Sequence, residues 1–323
     1  MMLRSEAVCL GCQSGLARAL SWTETDRPVA VVGQDRAIRR GQLVSFRSQG
    51  DNIAGKLFLP ASPRRAPVVI LCHGAGEWKE NYFEMSECLA ERGVGSLALD
   101  LRGHGQSGGE RFYVQMHQWV ADIGAALDYL VTHPRVDGER LAAFGFASGA
   151  TAVLESALVD RRLKALIVLE AAVDNCLPLS LTLLLRVLLP LGRLRLRRAR
   201  KPLRVPLPGL RRCRIASDPA INERILSNPF SMEAFEAFPL PGAEQAFFVD
   251  TLKRVPQVRI PTSVLWGQDD RLAPPGLGRR LFDALTCKKE LHMIAGNGYA
   301  GHLDRYRGRV FDFTAEWVNQ NLV

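Results

Sequence analysis

The segment Gly145-Phe146-Ala147-Ser148-Gly149 restricts this chain more than any other. The apolar run 141–145 reads as a buried strand, and a helix opens at Ser148 with no loop between the two. The spacing is that of G-x-S-x-G, an elbow in which a sharp strand-to-helix turn holds the central serine with its hydroxyl exposed. Here the central residue is Ala147, so the position fixed by the turn carries a methyl group.

From residue 42 onward, short apolar runs alternate with amphipathic stretches, the pattern of an α/β sheet protein. Residues 42–47 and 52–59 read as an antiparallel hairpin around Gln49-Gly50-Asp51, 68–72 as a buried strand, 82–92 as a helix and 94–100 as the next strand. Residues 116–132 form a helix, with Val120, Ile123, Leu127 and Leu130 near the 3.6-residue period. Strands at 141–145 and 165–169 flank the helix that Ser148 opens. Periodicity lapses over about 174–254, where prolines stand at 178, 190, 202, 206, 208, 219, 229, 239 and 241. It resumes with a strand at 262–266, a helix at 277–285, a strand at 290–294 and a last helix at 306–322. The chain thus divides into a leader at 1–40, an α/β core made of 41–173 and 256–323, and an inserted cap at 174–255. The cap lies on the side where the strands end, which is where open parallel sheets place their ligands.

The net charge of +9 suggests a nucleic-acid partner until it is located. Residues 175–217 hold eleven Lys or Arg and no acid, whereas the remainder carries 31 bases against 33 acids. So local an excess argues against a general polyanion surface, and no nucleic acid is expected; it marks one basic patch. No run reaches the roughly 18 apolar residues of a membrane span. The most apolar stretch, 177–191, is interrupted by Pro178, Arg186 and Pro190. Residues 1–20 lack a signal-like apolar core, and the seven cysteines are odd in number and dispersed, so the expected setting is cytoplasmic and reducing. Cys9 and Cys12 form a lone C-x-x-C and read as plain thiols; His104, His117, His133 and His292 lack metal-ligand spacing. Neither a metal nor a cofactor is expected.

Acyl transfer needs an oxyanion hole, a nucleophile and an acid–base pair at the ends of successive strands, and the chain has a place for each. The turn Leu71-Cys72-His73-Gly74-Ala75-Gly76-Glu77 follows a strand directly. Its expected oxyanion donor is the Ala75 N–H, paired with that of Ser148 after the elbow, with His73, Gly74 and Gly76 lining the substrate. Trp266-Gly267-Gln268-Asp269-Asp270 offers two acids; Asp270, three residues after the strand-ending glycine, is taken as the catalytic one and Asp269 as a turn cap. Gly301-His302 after the last strand offers the base, completing the order nucleophile, acid, base.

Several of these motifs are shared with a known group. On His73-Gly74-Ala75-Gly76-Glu77 with Asn81-Tyr82, on Asp100-Leu101-Arg102-Gly103-His104-Gly105-Gln106-Ser107-Gly108-Gly109-Glu110-Arg111, on the elbow and on the two acid–base motifs, the chain resembles the serine hydrolases of the α/β-hydrolase fold. Within them it is most similar to the group of monoacylglycerol lipases and lysophospholipases, and Ile215-Ala216-Ser217-Asp218-Pro219 with Ser227-Asn228-Pro229 adds to the likeness. The resemblance covers about residues 40–320. It implies a mostly parallel central sheet with flanking helices and a cap insertion. It also implies cleavage of a carboxylic ester or thioester: His302 takes the nucleophile's proton, Asp270 holds the imidazole, and an acyl-enzyme forms before water releases it.

Ala147 removes the one step that the other groups cannot supply. Three readings stand: a serine hydrolase (esterase, lipase or thioesterase) made nucleophile-dead by Ser→Ala at 147, a natural pseudo-hydrolase that binds an acyl ligand or a partner, and attack by Ser148, whose side chain leaves the elbow in another direction. A carbon–carbon bond hydrolase or a thioesterase of a biosynthetic pathway is a further alternative. The basic segment 186–214 interleaves leucines with arginines. It suits a cap helix with its arginines in water, a peripheral contact with an anionic membrane, or a seat for an acidic carrier protein or a coenzyme A phosphate.

Overall fold

The apolar runs pair into a single eight-stranded sheet. The computed structural model describes residues 41–174, 179–206, 213–247 and 249–322. The leader 1–40 with its C-x-x-C, Cys176, Arg211 and Arg212 lie outside the described residues. The strands are β1 (Gln42–Ser48), β2 (Asp51–Phe58), β3 (Ala66–Cys72), β4 (Gly95–Leu99), β5 (Val136–Phe146), β6 (Leu163–Leu169), β9 (Thr262–Gly267) and β10 (Lys289–Ile294), in the spatial order β1-β2-β4-β3-β5-β6-β9-β10. The strands β7 (Leu203–Val205) and β8 (Phe238–Leu240) form a separate antiparallel pair. Only β2 runs against its neighbours β1 and β4; every other pairing in the large sheet is parallel.

Parallel strands require helical crossovers on both faces, which is why the inner strands read as unbroken apolar runs. All seven residues of β3 and all five of β4 are buried. One face packs against α2 (Met116–Thr132), α3 (Ser148–Val159) and α8 (Pro275–Ala284) through Trp119, Ile123, Leu127, Val153 and Leu281. The other packs against α1 (Phe83–Glu91) and α9 (Arg307–Leu322) through Phe83, Leu89, Val310 and Val318. The β1–β2 hairpin turns on Gln49 and Gly50, both at positive φ (47° and 92°), the type I′ geometry that matches strand twist.

β5 begins five residues before the expected start. After Val136 come Asp137, Gly138, Glu139 and Arg140, with Asp137 bonded to Arg140, and this opening is declared only by the pairing of Val136 with Ala66. Between β6 and β9 the chain forms α4 (Leu179–Ala199), β7, α5 (Pro219–Ser227), α6 (Pro229–Glu236), β8 and α7 (Gly242–Phe247). Two prolines that interrupt the periodicity here are helix starts. Pro219 and Pro229 stand at N-terminal positions, where the missing N–H costs nothing, and the side chains of Asp218 and Asn228 cap the next amides.

Candidate active site

The elbow is built as its sequence requires. Ala147 ends β5 and opens α3 at φ 50°, ψ −118°, a region a non-glycine residue enters only at a cost of about 1–3 kcal/mol. Its N–H donates to Leu169 O and its carbonyl accepts from Thr151 and Ala172, so the turn is clamped to the end of β6. The flanking glycines are needed for clearance: a Cβ on Gly145 would lie 2.5 Å from the Ala150 backbone, and one on Gly149 would lie 2.3 Å from the His73 carbonyl.

The turn after β3 lies beside the elbow, with the Gly74 side-chain position 3.2 Å from the Ala147 methyl. Here the structure corrects one expectation. His73 is fully buried, its Nε2 accepting from Leu101 N–H and its Nδ1 facing Gly74 O, so it braces the loops instead of facing a substrate. Burial pushes its imidazole below the usual histidine range. The Gly74 N–H donates to Glu77 and the Gly76 N–H to His104 Nε2, so both glycines serve the turn itself. The Ala75 amide takes part in neither of these bonds. The Ser148 hydroxyl lies 3.5 Å from Ala246 O on α7.

Asp270 and Asp269 separate as their environments demand. Asp269 is exposed in the turn, while Asp270 is buried, its Oδ1 accepting from the Leu272 and Ala273 amides at 2.8 Å each. Burial, only partly offset by those amides, pushes the Asp270 carboxyl up to about 7. His302 is 1% exposed, its ring stacked 4.7 Å from Tyr82 and tilted against Phe146 at 4.6 Å. Its Nε2, the nitrogen that would serve a nucleophile, lies 3.2 Å from Glu77 Oε1. Of the expected acid–base pair, Asp270 Oδ2 and His302 Nδ1 are each buried and without a hydrogen-bond partner among the described residues.

Residues 63–302 match the hydrolase family described as Serine aminopeptidase, S33. The chain belongs to this family. Its fold is accordingly the α/β-hydrolase fold, and solved structures agree. A soluble variant of monoglyceride lipase from Saccharomyces cerevisiae, bound to a substrate analogue, superposes with a TM-score of 0.69 at 17% identity, over 88% of this chain and 95% of that one. Among curated relatives, uncharacterised YcjY of Escherichia coli is 36% identical over 105 residues, and polyketide transferase ATR5 of Stachybotrys chlorohalonatus is 32% identical over 133. These matches span 34% and 44% of the two relatives' own lengths and 32% and 41% of this chain.

Three carboxylates that the sequence reading did not place tie these loops together. Glu77 joins the oxyanion turn to the base: besides His302 it accepts from Tyr82 Oη at 2.9 Å and Asn81 Nδ2 at 3.2 Å. Burial works against its charge, but His302 and the Tyr82 hydroxyl outweigh it and hold the carboxyl below the usual range. Glu170 ends β6 at φ 44° and bridges the Gly267 and Gly301 amides, tying the acid loop to the base loop. Burial and then the charge of Asp270 push its carboxyl well upward. Asp304 accepts from Ser217 at 2.7 Å and Gly298 at 2.6 Å, fastening the insertion to the base loop. An acid closing the apolar run before Ala171 was the available signal for Glu170. The Glu77–His302 pair spans 225 residues, and no local pattern announces it. Among the described residues no group of three or more His, Cys, Asp or Glu could hold a metal ion.

Proposed function

We propose that this chain binds an acyl ester or thioester at the elbow and, with Ala147 in place, holds it without cleaving it. The carbonyl oxygen would accept from the Ala75 and Ser148 amides, and the scissile carbon would face the Ala147 methyl, where the fold's chemistry places a serine hydroxyl. The observation that carries this reading is the intact, strained elbow at Ala147 beside a base whose Nε2 pairs with Glu77. A methyl group cannot form the acyl bond, so His302, Asp270 and the oxyanion donors are left to position and polarise. The insertion acts as a cap over the elbow, with α7 against Ser148 and Phe230 of α6 against Trp78 of the oxyanion turn.

A serine at 147 would restore the missing step. Its hydroxyl would compete with Glu77 for His302 Nε2, and in this reading the His302 Nδ1–H would donate to Asp270 Oδ2. The Ala147→Ser variant is expected to hydrolyse short p-nitrophenyl esters or acyl thioesters at least about 10³-fold faster than the chain as it stands. A fluorophosphonate probe should then label residue 147, and adding His302→Ala should return the rate to baseline. No gain with either substrate class overturns the proposal, as does probe labelling of Ser148 in the unaltered chain.

A further inference from the structure

Helix α4 carries two apolar faces where a cap helix needs one. Its inner face, with Leu185, Leu189 and Gly192, is buried against β8, and a Cβ on Gly192 would lie 2.9 Å from that of Leu240. Leu183, Leu184, Val187, Leu191 and Leu194 are 46–68% exposed. At 3.6 residues per turn these five fall within an arc of about 100° on the opposite side of the helix. Arg186 and Arg197 border that arc on one side, Arg195 on the other, and Arg198 stands within it; all four are exposed. Among the described residues no carboxylate pairs with Arg186, Arg195, Arg197, Arg198 or Arg200, and the sequence from 175 to 217 contains no acid. An aligned row of five exposed aliphatic side chains is uncommon on a protein that meets only water.

We propose that this outer face docks on an anionic bilayer, with α4 lying in the headgroup plane, its five aliphatic side chains inserted and its arginines on lipid phosphates. The arrangement is that of an interfacial helix, and arginine's planar fork suits phosphate oxygens. Charge selects the occupant. Two copies meeting through this face would bring arginine against arginine with no acid to neutralise them, whereas an anionic surface complements every one. The helix lies on the surface and does not span it, since no helix among the described residues is long and apolar enough to cross a membrane. Its inner face shares an apolar cluster with Ala246, whose carbonyl faces the Ser148 hydroxyl, so docking would set the insertion and the elbow beneath it at the lipid surface. The proposal goes beyond the chemistry at residue 147 and is measured equally well with alanine or serine there.

The test is co-sedimentation of the full chain with vesicles of phosphatidylcholine alone and of phosphatidylcholine mixed with phosphatidylglycerol, at low and raised salt. Binding is expected to the mixed vesicles only and to weaken as salt rises. Arg186→Ala together with Arg197→Ala should lower partitioning about thirtyfold, about fivefold for each cation removed. Val187→Asp with Leu191→Asp should reduce it to background while circular dichroism stays unchanged, because both side chains are exposed. Equal sedimentation with both vesicle types, or with neither, overturns the proposal without any variant being needed. It is also overturned if both double variants bind like the unaltered chain. Sedimentation velocity supplies one more arm: lipid-free self-association abolished by the aspartate pair would assign the face to a second copy instead.

Discussion

The two halves of the site are uncomfortable in opposite ways. At the elbow, Ala147 has both backbone groups hydrogen-bonded and its backbone is strained. In the acid and base loops, neither Asp270 nor His302 has a positive φ, yet Oδ2 of one and Nδ1 of the other are buried with no hydrogen-bond partner among the described residues. On the function proposed above, a hydroxyl absent from residue 147 accounts for the difference. The elbow is shaped by covalent geometry and by the glycines around it, so it keeps its form with a methyl in place of a hydroxyl. The acid–base half is held by hydrogen bonds and stacking; the imidazole Nε2 pairs with Glu77, and Asp270, bound to the Leu272 and Ala273 amides through Oδ1, keeps Oδ2 open.

That contrast breaks most visibly at Asp270. The free carboxyl titrates near 3.8 and the folded one at about 7, so protonation is coupled to folding. The stability contributed by the protonated form is complete below about pH 4 and is lost as the pH rises through about 7. The loss amounts to about 4 kcal/mol at full ionisation. Asp270→Asn should therefore melt higher than the unaltered chain above pH 7 and show a flatter profile in thermal melts between about pH 5 and 8. Some slope should remain from Glu170, whose carboxyl is pushed in the same direction. Equal melting of the two proteins at high pH would mean that His302 Nδ1 already serves Asp270 in solution, and the contrast between the halves would vanish. Gly149→Ala probes the other half. Its new Cβ would press on the His73 and Cys72 carbonyls, and a loss of about 3 kcal/mol in urea unfolding is expected because backbone must move. A loss below about 1 kcal/mol would mean that the elbow is less tightly framed than its glycines imply.

These halves also differ in how far the sequence declared them. The elbow, the strand ends and the two loops bearing Asp270 and His302 could be read because each depends on neighbours within a few residues: a strand running into Gly145, a glycine before an acid, a glycine before a histidine. Of the two acids in that loop, Asp270 is buried and Asp269 exposed. What escaped was every bond between distant segments. His73 reads as a substrate group by its place in the turn, but only the fold shows Leu101 N–H on its ring. The insertion was opaque for a related reason: leucines on two opposite faces of α4 blur the one-sided period that marks a packed helix, and Pro219 and Pro229 look like breaks when they are starts.

A smaller effect tests what holds the base where it is. Tyr82 stacks on His302 and donates to Glu77, so Tyr82→Phe keeps the ring and removes one donor from a buried carboxylate. A stability loss of about 1–2 kcal/mol is expected. If Glu77 in fact anchors His302, the imidazole nitrogen shifts in NMR spectra should move with this substitution; unmoved shifts would mean that the stacking alone positions the base.

The smallest expected change falls on Ala147 itself. Glycine enters positive φ without the steric cost that alanine meets at 50°, −118°, so Ala147→Gly should remove strain of about 1–3 kcal/mol. Against this stand the greater backbone freedom of glycine in the unfolded chain, about 0.5–1 kcal/mol, and the loss of one methyl packed beside Gly74. A net gain of about 1 kcal/mol in urea unfolding is therefore expected, small but positive. The sign carries the information. A gain means that the elbow holds its strained form because the hydrogen bonds it gives to the Leu169 carbonyl and accepts from the Thr151 and Ala172 amides impose it, independently of any chemistry at residue 147. A loss means that the methyl itself packs the turn, and the strain would then be offset locally by the side chain that stands where a hydroxyl is expected.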